Sequence, residues 1–257
     1  MMRLMVDGGR SGARRAAEEG QVAVIVDALR ASTTTASLLH HGVKTIIVVE
    51  HVAQALAEHG RQPGSLLLGE RRGLKVEGFD LGNSPLQSSL PSPAETIIFT
   101  SSNMSRCCVG AASASAVFLG TLVTLSRCAD LALRAAREAG RDIILVPAGA
   151  AADESRLILE DYVACGALIG KLAEVSGGEA SAEGDAAQAA LELHAAARQH
   201  GLERTFLETD DGRGLCALGF EADVRFASRV DVLCEVPRLR STYSLADGGR
   251  AVVLARG

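Results

Sequence analysis

The chain has 257 residues, a length within the range of a single α/β domain. Its formal net charge of −5 argues against a general nucleic-acid surface, because such a surface needs clustered lysine and arginine side chains. A small anionic substrate stays compatible with this charge, since a pocket can be locally positive on an acidic protein. Apolar residues make up 47% of the chain, with six Phe, two Tyr and no Trp, so we expect a core of Leu, Val, Ile and Ala.

The six cysteines show no C-x-x-C spacing and no adjacent histidine, so neither a disulfide framework nor a zinc site is expected. Buried free thiols in a reducing cytoplasm are the simpler interpretation, and the cytoplasm is the expected location. Residues 107–126 carry no charge and have the length of a membrane span, about 20 residues. Their glycine, serine and threonine content instead favours a helix, a buried strand and a helix start. With no signal peptide recognised, we expect a soluble protein without a membrane partner.

Short apolar, β-branched runs alternate with helical stretches, which is the pattern of a mainly parallel sheet. The predicted strands are 22–26, 45–49, 65–68, 96–99, 116–119, 142–146 and 251–254. The predicted helices are 32–41, 52–59, 103–112, 122–139, 157–175 and 186–199. Beyond Gly201 the pattern weakens into segments 205–207 and 230–236 and short helices. We expect a layered α/β/α fold, one unit over 1–257, with a C-terminal α/β subdomain and a possible boundary at 177–185.

The motif DALRASTT (27–34) directly follows the predicted strand 22–26. Its position is the carboxyl end of a parallel strand, where α/β sheets bind ligands. We expect Ser32 to cap the next helix, whose free amides would form an anion site. The Asp27 carboxylate and the Arg30 guanidinium beside these hydroxyl groups suit a phosphoryl group with its metal. The alternative is structural, with Ser32 capping the helix and Arg30 pairing with Asp27.

A Gly-rich loop, GERRGLKVEGFDLGNSP (69–85), follows the predicted strand 65–68. Glu70 stands where that strand ends, and a carboxylate there is a candidate ligand of Mg²⁺. The glycines permit close approach of the backbone to a ligand. A loop of this length between core elements is typical of a functional segment. The alternative is a surface loop in which Asn-Ser-Pro forms an ordinary turn.

Two further strand ends carry polar residues. TSSNMSR (100–106) follows the strand at 96–99 and is rich in hydroxyl groups, although a simple helix cap would explain it as well. Glu160 and Asp161 stand near the start of the helix after the strand at 142–146. Successive helical residues diverge by about 100°, so at most one of this pair is expected to face the site squarely. The alternative is helix-end electrostatics, because carboxylates are favourable in a first helical turn.

Other phosphatase chemistries lack their signatures here. The chain has no R-H-G element and no P-loop, and Leu29 stands where haloacid-dehalogenase phosphatases require a second Asp. The spacing C-x₅-R occurs at 128–134, inside a predicted helix, and at 234–240. The residues between Cys234 and Arg240 contain no glycine that would let the loop wrap around a phosphate. We interpret both as coincidences of spacing.

The four strand-end segments together resemble the 2-phosphosulfolactate phosphatase family. The likeness rests on DALRASTT at 27–34, GERRGLKVEGFDLGNSP at 69–85, TSSN at 100–103 and PAG…ED at 147–161, and more loosely on a stretch near the C-terminus. It implies an α/β, Mg²⁺-dependent hydrolase of coenzyme M biosynthesis that converts 2-phosphosulfolactate to sulfolactate and phosphate. The chain departs from the family at Met104, where Gly is usual, and at Pro147, where Cys is commoner. A bulky Met104 side chain is expected near the pocket.

The resemblance also implies residue roles. The catalytic residues would be Asp27, Arg30 and Glu70. The ligands of Mg²⁺ would be Asp27 and Glu70, with Asp80, Glu160 and Asp161 as secondary candidates. The phosphate and the rest of the substrate would contact Arg30 and the residues Ser32, Thr33, Arg71, Asn83, Ser101, Ser102 and Asn103.

Two alternatives remain open. One is a phosphatase for a different small phosphomonoester, and the other is a non-catalytic anion-binding protein of the same fold, which the departure at Met104 favours. The expected partner in each case is a small anionic molecule, with no nucleic acid. The Ala-rich helices would also permit a homo-oligomer.

Overall fold

The structure is a computed structural model that describes residues 1–87, 94–149 and 156–257. Its strands are β1 (Met2–Val6), β2 (Val22–Val26), β3 (Thr45–Val48), β4 (Leu66–Arg71), β5 (Leu74–Lys75), β6 (Thr96–Thr100), β7 (Ala116–Gly120), β8 (Ile143–Pro147), β9 (Ala180–Ala182), β10 (Pro237–Ser244) and β11 (Arg250–Arg256). Its α-helices are α1 (Gly9–Glu18), α2 (Ala31–His40), α3 (Val52–Arg61), α4 (Met104–Gly110), α5 (Leu125–Ala139), α6 (Leu159–Val175), α7 (Asp185–His200), α8 (Leu202–Glu208), α9 (Asp210–Ala217) and α10 (Glu221–Ala227). These elements form the layered α/β fold that the sequence predicts.

The strands form one mostly parallel sheet, in the order β5-β4-β6-β3-β11-β10-β7-β2-β8-β1-β9. On one side β4, β6 and β3 pair in parallel. On the other side β7, β2, β8, β1 and β9 pair in parallel. The C-terminal hairpin β10–β11 lies between the two groups and is antiparallel to both neighbours. Because three antiparallel pairings separate β3 from β7, the two parallel groups run in opposite directions along the ladder.

The twist of the sheet compensates for this reversal. Neighbouring strands are rotated by about 20–25°, so the six steps from β4 to β2 accumulate on the order of 120–150°. A strand that runs against β4 in the ladder is therefore turned back toward the direction of β4. Residues that follow β2, β4 and β6 do line one cleft, as such a rotation would allow.

Helices cover both faces of the sheet. The side chains of Val22, Val24 and Val26 in β2 join the core cluster formed with α5, α6 and α7. The intervening Ala23 and Ile25 join the opposite cluster, formed with α1, α2 and α4. All five residues are fully buried. This explains why the predicted strands appear as continuous apolar runs rather than as alternating ones.

The predicted strands and helices up to α7 agree with the structure to within a few residues at their ends. The predicted helix 122–139 begins as a short 3-10 turn at Leu122–Thr124 before α5. The elements β1 and α1 were not predicted from the sequence. Residues 177–185 were predicted to be a surface connection, whereas Ala180–Ala182 forms β9 and pairs with β1.

The C-terminal third differs most from expectation. Segment 205–207 lies in α8, and 230–236 forms no regular element. The strand β10 was not predicted, and β11 extends beyond the predicted 251–254. Both strands lie in the middle of the main sheet, so the strands before and after the suggested boundary at 177–185 belong to one sheet. That residues 1–257 form a single domain stays a prediction.

No helix within the described parts of the chain is both long and apolar enough to cross a membrane. The uncharged stretch at 107–126 contains the end of α4, the strand β7 and the start of α5. This is the helix, strand and helix start that its composition predicts.

Candidate active site

A cavity of about 260 Å³ lies where β2, β4 and β6 end. Its walls come from the loop after β2, the β4–β5 turn, the loop after β6 and the helix α9. The lining residues are Asp27, Leu29, Arg30, Glu70, Arg72, Gly73, Asn83, Ser102, Asn103, Asp210, Asp211, Gly214, Leu215 and Leu218. The size suits a small ligand.

Asp27 is buried at the end of β2. Its Oδ1 accepts a hydrogen bond from the amide of Ala31 at 2.9 Å, which fixes the carboxylate against the first turn of α2. Burial is the largest cause that raises the pKa of Asp27 to about 6; the negative charges of Glu70 and Asp211 act in the same direction, and hydrogen bonds from the backbone act against it. The carboxylate is therefore held in a poorly solvated place with other carboxylates nearby.

Glu70 connects two strand ends. Its Oε1 accepts the amide of Ser102 at 2.7 Å, and its Oε2 accepts the amide of Gly73 at 3.1 Å. Both oxygens are thus held by backbone donors, one after β6 and one in the β4–β5 turn. This orientation places the carboxylate in the cavity wall together with Asp27.

Arg30 is almost fully buried at the start of α2. Its Nη1 donates to Asp223 Oδ2 at 2.7 Å, and its Nη2 donates to the carbonyl of Gly73 at 2.7 Å. The guanidinium carbon lies 4.2 Å from the centre of the Phe220 ring, within cation–π range. The pairing of Arg30 with Asp27 that the sequence suggested is wrong, because the ion pair is made with Asp223.

Glu160 and Asp161 lie in the first turn of α6 and are both buried. Asp161 Oδ1 accepts the amide of Ala28 at 2.8 Å, and burial, with the charge of Asp27 second, raises its pKa well above the usual range. Burial raises the pKa of Glu160 to about 7. Neither lines the main cavity, but Glu160 lines an adjoining cleft that shares Asp210 and Asp211 with it. Residues 150–155 of the motif PAG…ED (147–161) lie outside the described residues.

Asn83, Ser102 and Asn103 line the cavity, as the resemblance implies for a substrate site. The Oδ1 atom of Asn83 is buried and has no hydrogen-bond partner among the residues that the structure describes. An orphaned acceptor of this kind is unfavourable unless a ligand or ion satisfies it. It therefore marks a point where the cavity can bind a donor or a cation.

Three predicted hydroxyl ligands are used inside the fold instead. Ser32 Oγ accepts the amide of Asp27 at 3.0 Å, and Thr33 Oγ1 donates to a nearby backbone carbonyl at 2.9 Å. Ser101 Oγ accepts the amide of Ser105 at 3.2 Å. None of the three is among the residues found in the cavity wall. They fix the strand-to-helix junctions.

The predicted N-cap of α2 is wrong. The helix begins at Ala31 with Arg30 at the N-cap position, and Ser32 is already the second helical residue. The carboxylate of Asp27 accepts the free amide of Ala31 in place of a cap side chain.

Arg71 and Asp80 also lie outside the cavity wall. Arg71 points to the neighbouring strand and donates to Thr100 Oγ1 at 3.0 Å. Asp80 Oδ2 accepts the amide of Leu67 at 2.8 Å, near the amino end of β4, whereas Glu70 stands near its carboxyl end. The loop at 69–85 returns along the strand, and sequence spacing does not reveal that return.

Met104 does not enter the cavity. Its side chain is fully buried in the core, with Sδ 3.2 Å from the Sγ of Cys108. The bulky side chain therefore packs in the core and is not part of the cavity wall.

Several residues of the cavity wall were not predicted from the sequence: Arg72, the α9 residues Asp210, Asp211, Gly214 and Leu215, and Leu218, which directly follows α9. The two aspartates follow Thr209, whose Oγ1 caps α9 by accepting the amide of Gly212 at 3.0 Å. A Thr-Asp-Asp helix start is ordinary capping chemistry. No strand directly precedes α9. The rule that ligands bind at the carboxyl ends of parallel strands therefore gives no reason to place α9 at the site.

The donor set suits a hard cation. The cavity wall carries four carboxylates, Asp27, Glu70, Asp210 and Asp211, against two guanidinium groups, Arg30 and Arg72. Carboxylate and amide oxygens are the ligands that Mg²⁺ prefers. Within the described ranges no group of three or more His, Cys, Asp or Glu side chains is arranged as a metal site. The residues therefore fit Mg²⁺ by their chemistry, with substrate oxygens and water needed to complete its coordination.

The fold and the cavity define an α/β protein with an acidic, oxygen-rich site at the carboxyl ends of its strands. The family model described as 2-phosphosulpholactate phosphatase matches residues 11–242. A protein of Carboxydothermus hydrogenoformans named "Probable 2-phosphosulfolactate phosphatase" is 35% identical over 219 residues, 85% of this chain and 86% of that protein. Proteins of the same name from Caldanaerobacter subterraneus and Deinococcus radiodurans are each 32% identical, over 85% of this chain and 87% of their own lengths.

The chain belongs to the 2-phosphosulfolactate phosphatase family. It is thereby a member of a family of phosphoric monoester hydrolases, the enzyme class that the sequence motifs predict.

Proposed function

We propose that this chain is a Mg²⁺-dependent phosphatase that hydrolyses 2-phosphosulfolactate to sulfolactate and inorganic phosphate. One observation carries the proposal: Asp27, Glu70 and Arg30 lie in one cavity, in a chain of this family. The acidic wall supports the metal requirement, because four carboxylates would repel a phosphate ester unless a cation lay between them.

Asp27 and Glu70, with Asn83 Oδ1, are the residues that would hold Mg²⁺. The bound ion would neutralise negative charge on the phosphate and orient the attacking oxygen. The backbone amides that donate to the carboxylates of Glu70 and Asp27 hold these groups in place before the substrate arrives.

Arg30 would donate its remaining N–H groups to the phosphate oxygens, as guanidinium groups do in phosphate sites. Ser102 and Asn103 would contact the substrate from the opposite wall, and α9 would limit access of bulk water. In the reaction a water oxygen is added to phosphorus, the P–O bond of the ester breaks, and the substrate oxygen leaves as a hydroxyl group.

The test is release of inorganic phosphate from 2-phosphosulfolactate and from a panel of small phosphomonoesters, with Mg²⁺ and with EDTA. We expect release that needs Mg²⁺ and that falls at least 100-fold in Asp27→Asn. The matched control is Asp130→Asn, which makes the same chemical change at an exposed position of α5 and should leave the rate unchanged.

The panel also separates the alternatives. A preference for another phosphomonoester would replace the proposed substrate and keep the reaction class. No release from any substrate would favour a non-catalytic anion-binding protein, although the burial of Met104 removes the feature that first suggested it. The cytoplasm, coenzyme M biosynthesis and a homo-oligomer stay predictions from the sequence and the family.

A further inference from the structure

Arg30 is held by three residues from two distant parts of the chain. Asp223 in α10 makes the ion pair at 2.7 Å, Gly73 in the β4–β5 turn accepts at 2.7 Å, and Phe220 packs against the guanidinium face. The Arg30 and Asp223 side chains are 2% and 4% exposed. The guanidinium therefore has one orientation, set mostly by groups far away in sequence.

Asp223 is itself fixed. Its second oxygen, Oδ1, accepts a hydrogen bond from Ser84 Oγ at 2.8 Å. Ser84 follows Asn83, which lines the cavity and whose buried Oδ1 has no partner among the described residues. One carboxylate of α10 thus joins the guanidinium of Arg30 to the loop that carries Asn83.

The geometry leaves Arg30 able to bind an anion. A guanidinium has five N–H donors, and the bonds to Asp223 and Gly73 use two of them. Arg30 lines the cavity and Asp223 does not. The carboxylate therefore contacts the guanidinium from outside the cavity wall.

We propose that Asp223 is a positioning residue for anion binding: it orients the guanidinium of Arg30 so that the remaining N–H donors face the phosphate. This inference rests on the proposed function and deepens it, because it assigns the C-terminal helices a part in forming the phosphate site. Orientation matters here since a displacement of about 1 Å in a binding group can lower a rate on the order of 100-fold.

The experiment measures binding of inorganic phosphate by isothermal titration calorimetry, with Mg²⁺ present, so that turnover is not needed. We expect Asp223→Asn to weaken phosphate binding at least tenfold, and Arg30→Ala to weaken it at least as much. In the double variant, Asp223→Asn should add less than twofold to Arg30→Ala, because Asp223 acts through Arg30.

Two further variants test whether weaker phosphate binding comes from a general loss of structure. Ser84→Ala keeps both charges and removes the outer hydrogen bond to Asp223, together with the bond that Ser84 Oγ accepts from the amide of Gln87 at 3.2 Å, so we expect an intermediate loss of two- to fivefold. Tyr243→Phe removes a partly buried hydrogen bond, to Glu58 at 2.8 Å, away from the cavity, and should leave phosphate binding unchanged. If Asp223→Asn does not fold, the comparison of Ser84→Ala with Tyr243→Phe decides the matter.

The outcomes separate the two proposals. Unchanged or tighter phosphate binding in Asp223→Asn, or in a folded Ser84→Ala, overturns the positioning role whether or not the protein is a phosphatase. Additive losses in the double variant also overturn it. The phosphate affinities of the variants could follow the expected order while the wild-type protein hydrolyses no ester. That result would support the positioning role of Asp223 and reject the enzymatic function.

Discussion

Asp27 and Glu160 are buried carboxyl groups whose pKa values lie at about 6 and about 7, and burial is the main cause in both. In the unfolded chain both pKa values return to the usual range near 4. The folded state therefore binds these protons more tightly than the unfolded state does. Their stabilising effect is complete below about pH 4 and is lost as the pH rises through 6 and 7.

We therefore predict that the metal-free protein becomes less stable between pH 5 and pH 8. Each of the two groups can contribute about 3 kcal/mol to the free energy of unfolding, since one pKa unit corresponds to about 1.4 kcal/mol. Urea unfolding at pH 5, 6, 7 and 8 measures the slope. Asp27→Asn should flatten it and Asp130→Asn should not, and a free energy of unfolding that rises with pH in this window would contradict the prediction.

At the scale of single elements, the two-residue turn between β4 and β5 has a strained backbone and also forms part of the cavity wall. Arg71 pairs with Leu74, and the two residues between them, Arg72 and Gly73, have φ values of 55° and 79°. Positive φ at both central positions is the type I′ turn, which favours Asn-Gly over a long side chain followed by Gly. Arg72 therefore holds a left-handed backbone without the local hydrogen bonds that Asn can make.

We predict that Arg72→Asn stabilises the protein by about 0.5–1 kcal/mol, because Asn adopts this conformation more readily. The companion change Gly73→Ala should destabilise it by about 1 kcal/mol or more, since φ is positive and the new Cβ would lie 3.1 Å from a Leu218 methyl carbon. Urea unfolding measures both. Equal effects of the two variants would show that the backbone conformation of the turn is not the determining factor.

At the scale of the whole molecule, the C-terminal hairpin connects two parallel groups of strands. Residues Val252 and Leu254 of β11 are fully buried and pair with β3. The strand β9 lies at one edge of the sheet and has only three residues. The last strands of the chain thus complete the middle of the sheet and do not form an appendage.

We predict that amides of β11 exchange with solvent at least 100-fold more slowly than those of β9, because central strands open only when the whole sheet unfolds. Hydrogen exchange followed by mass spectrometry measures the difference. If β10 and β11 exchanged together and faster than β3 and β7, the hairpin would be an independent C-terminal unit, and the central placement would not hold in solution.

The sequence alone was sufficient for the α/β class, for most strands and helices up to α7, and for the presence of Asp27, Arg30 and Glu70 at one site. These follow from local rules: continuous apolar runs form buried strands, and polar residues just after a parallel strand face the ligand. The family resemblance, carried by four such strand ends, could be recognised for the same reason.

The tertiary structure alone determined which polar groups reach the cavity and which are used inside the fold. Ser32, Thr33 and Ser101 have the right residue type and spacing, yet their hydroxyl groups bond to the backbone around them. Arg30 pairs with Asp223 across 193 residues, and α9 closes the cavity from a part of the chain with no strand before it. Local sequence fixes the direction of a strand end, but contacts between distant segments depend on the twist and order of the whole sheet, which no local pattern encodes.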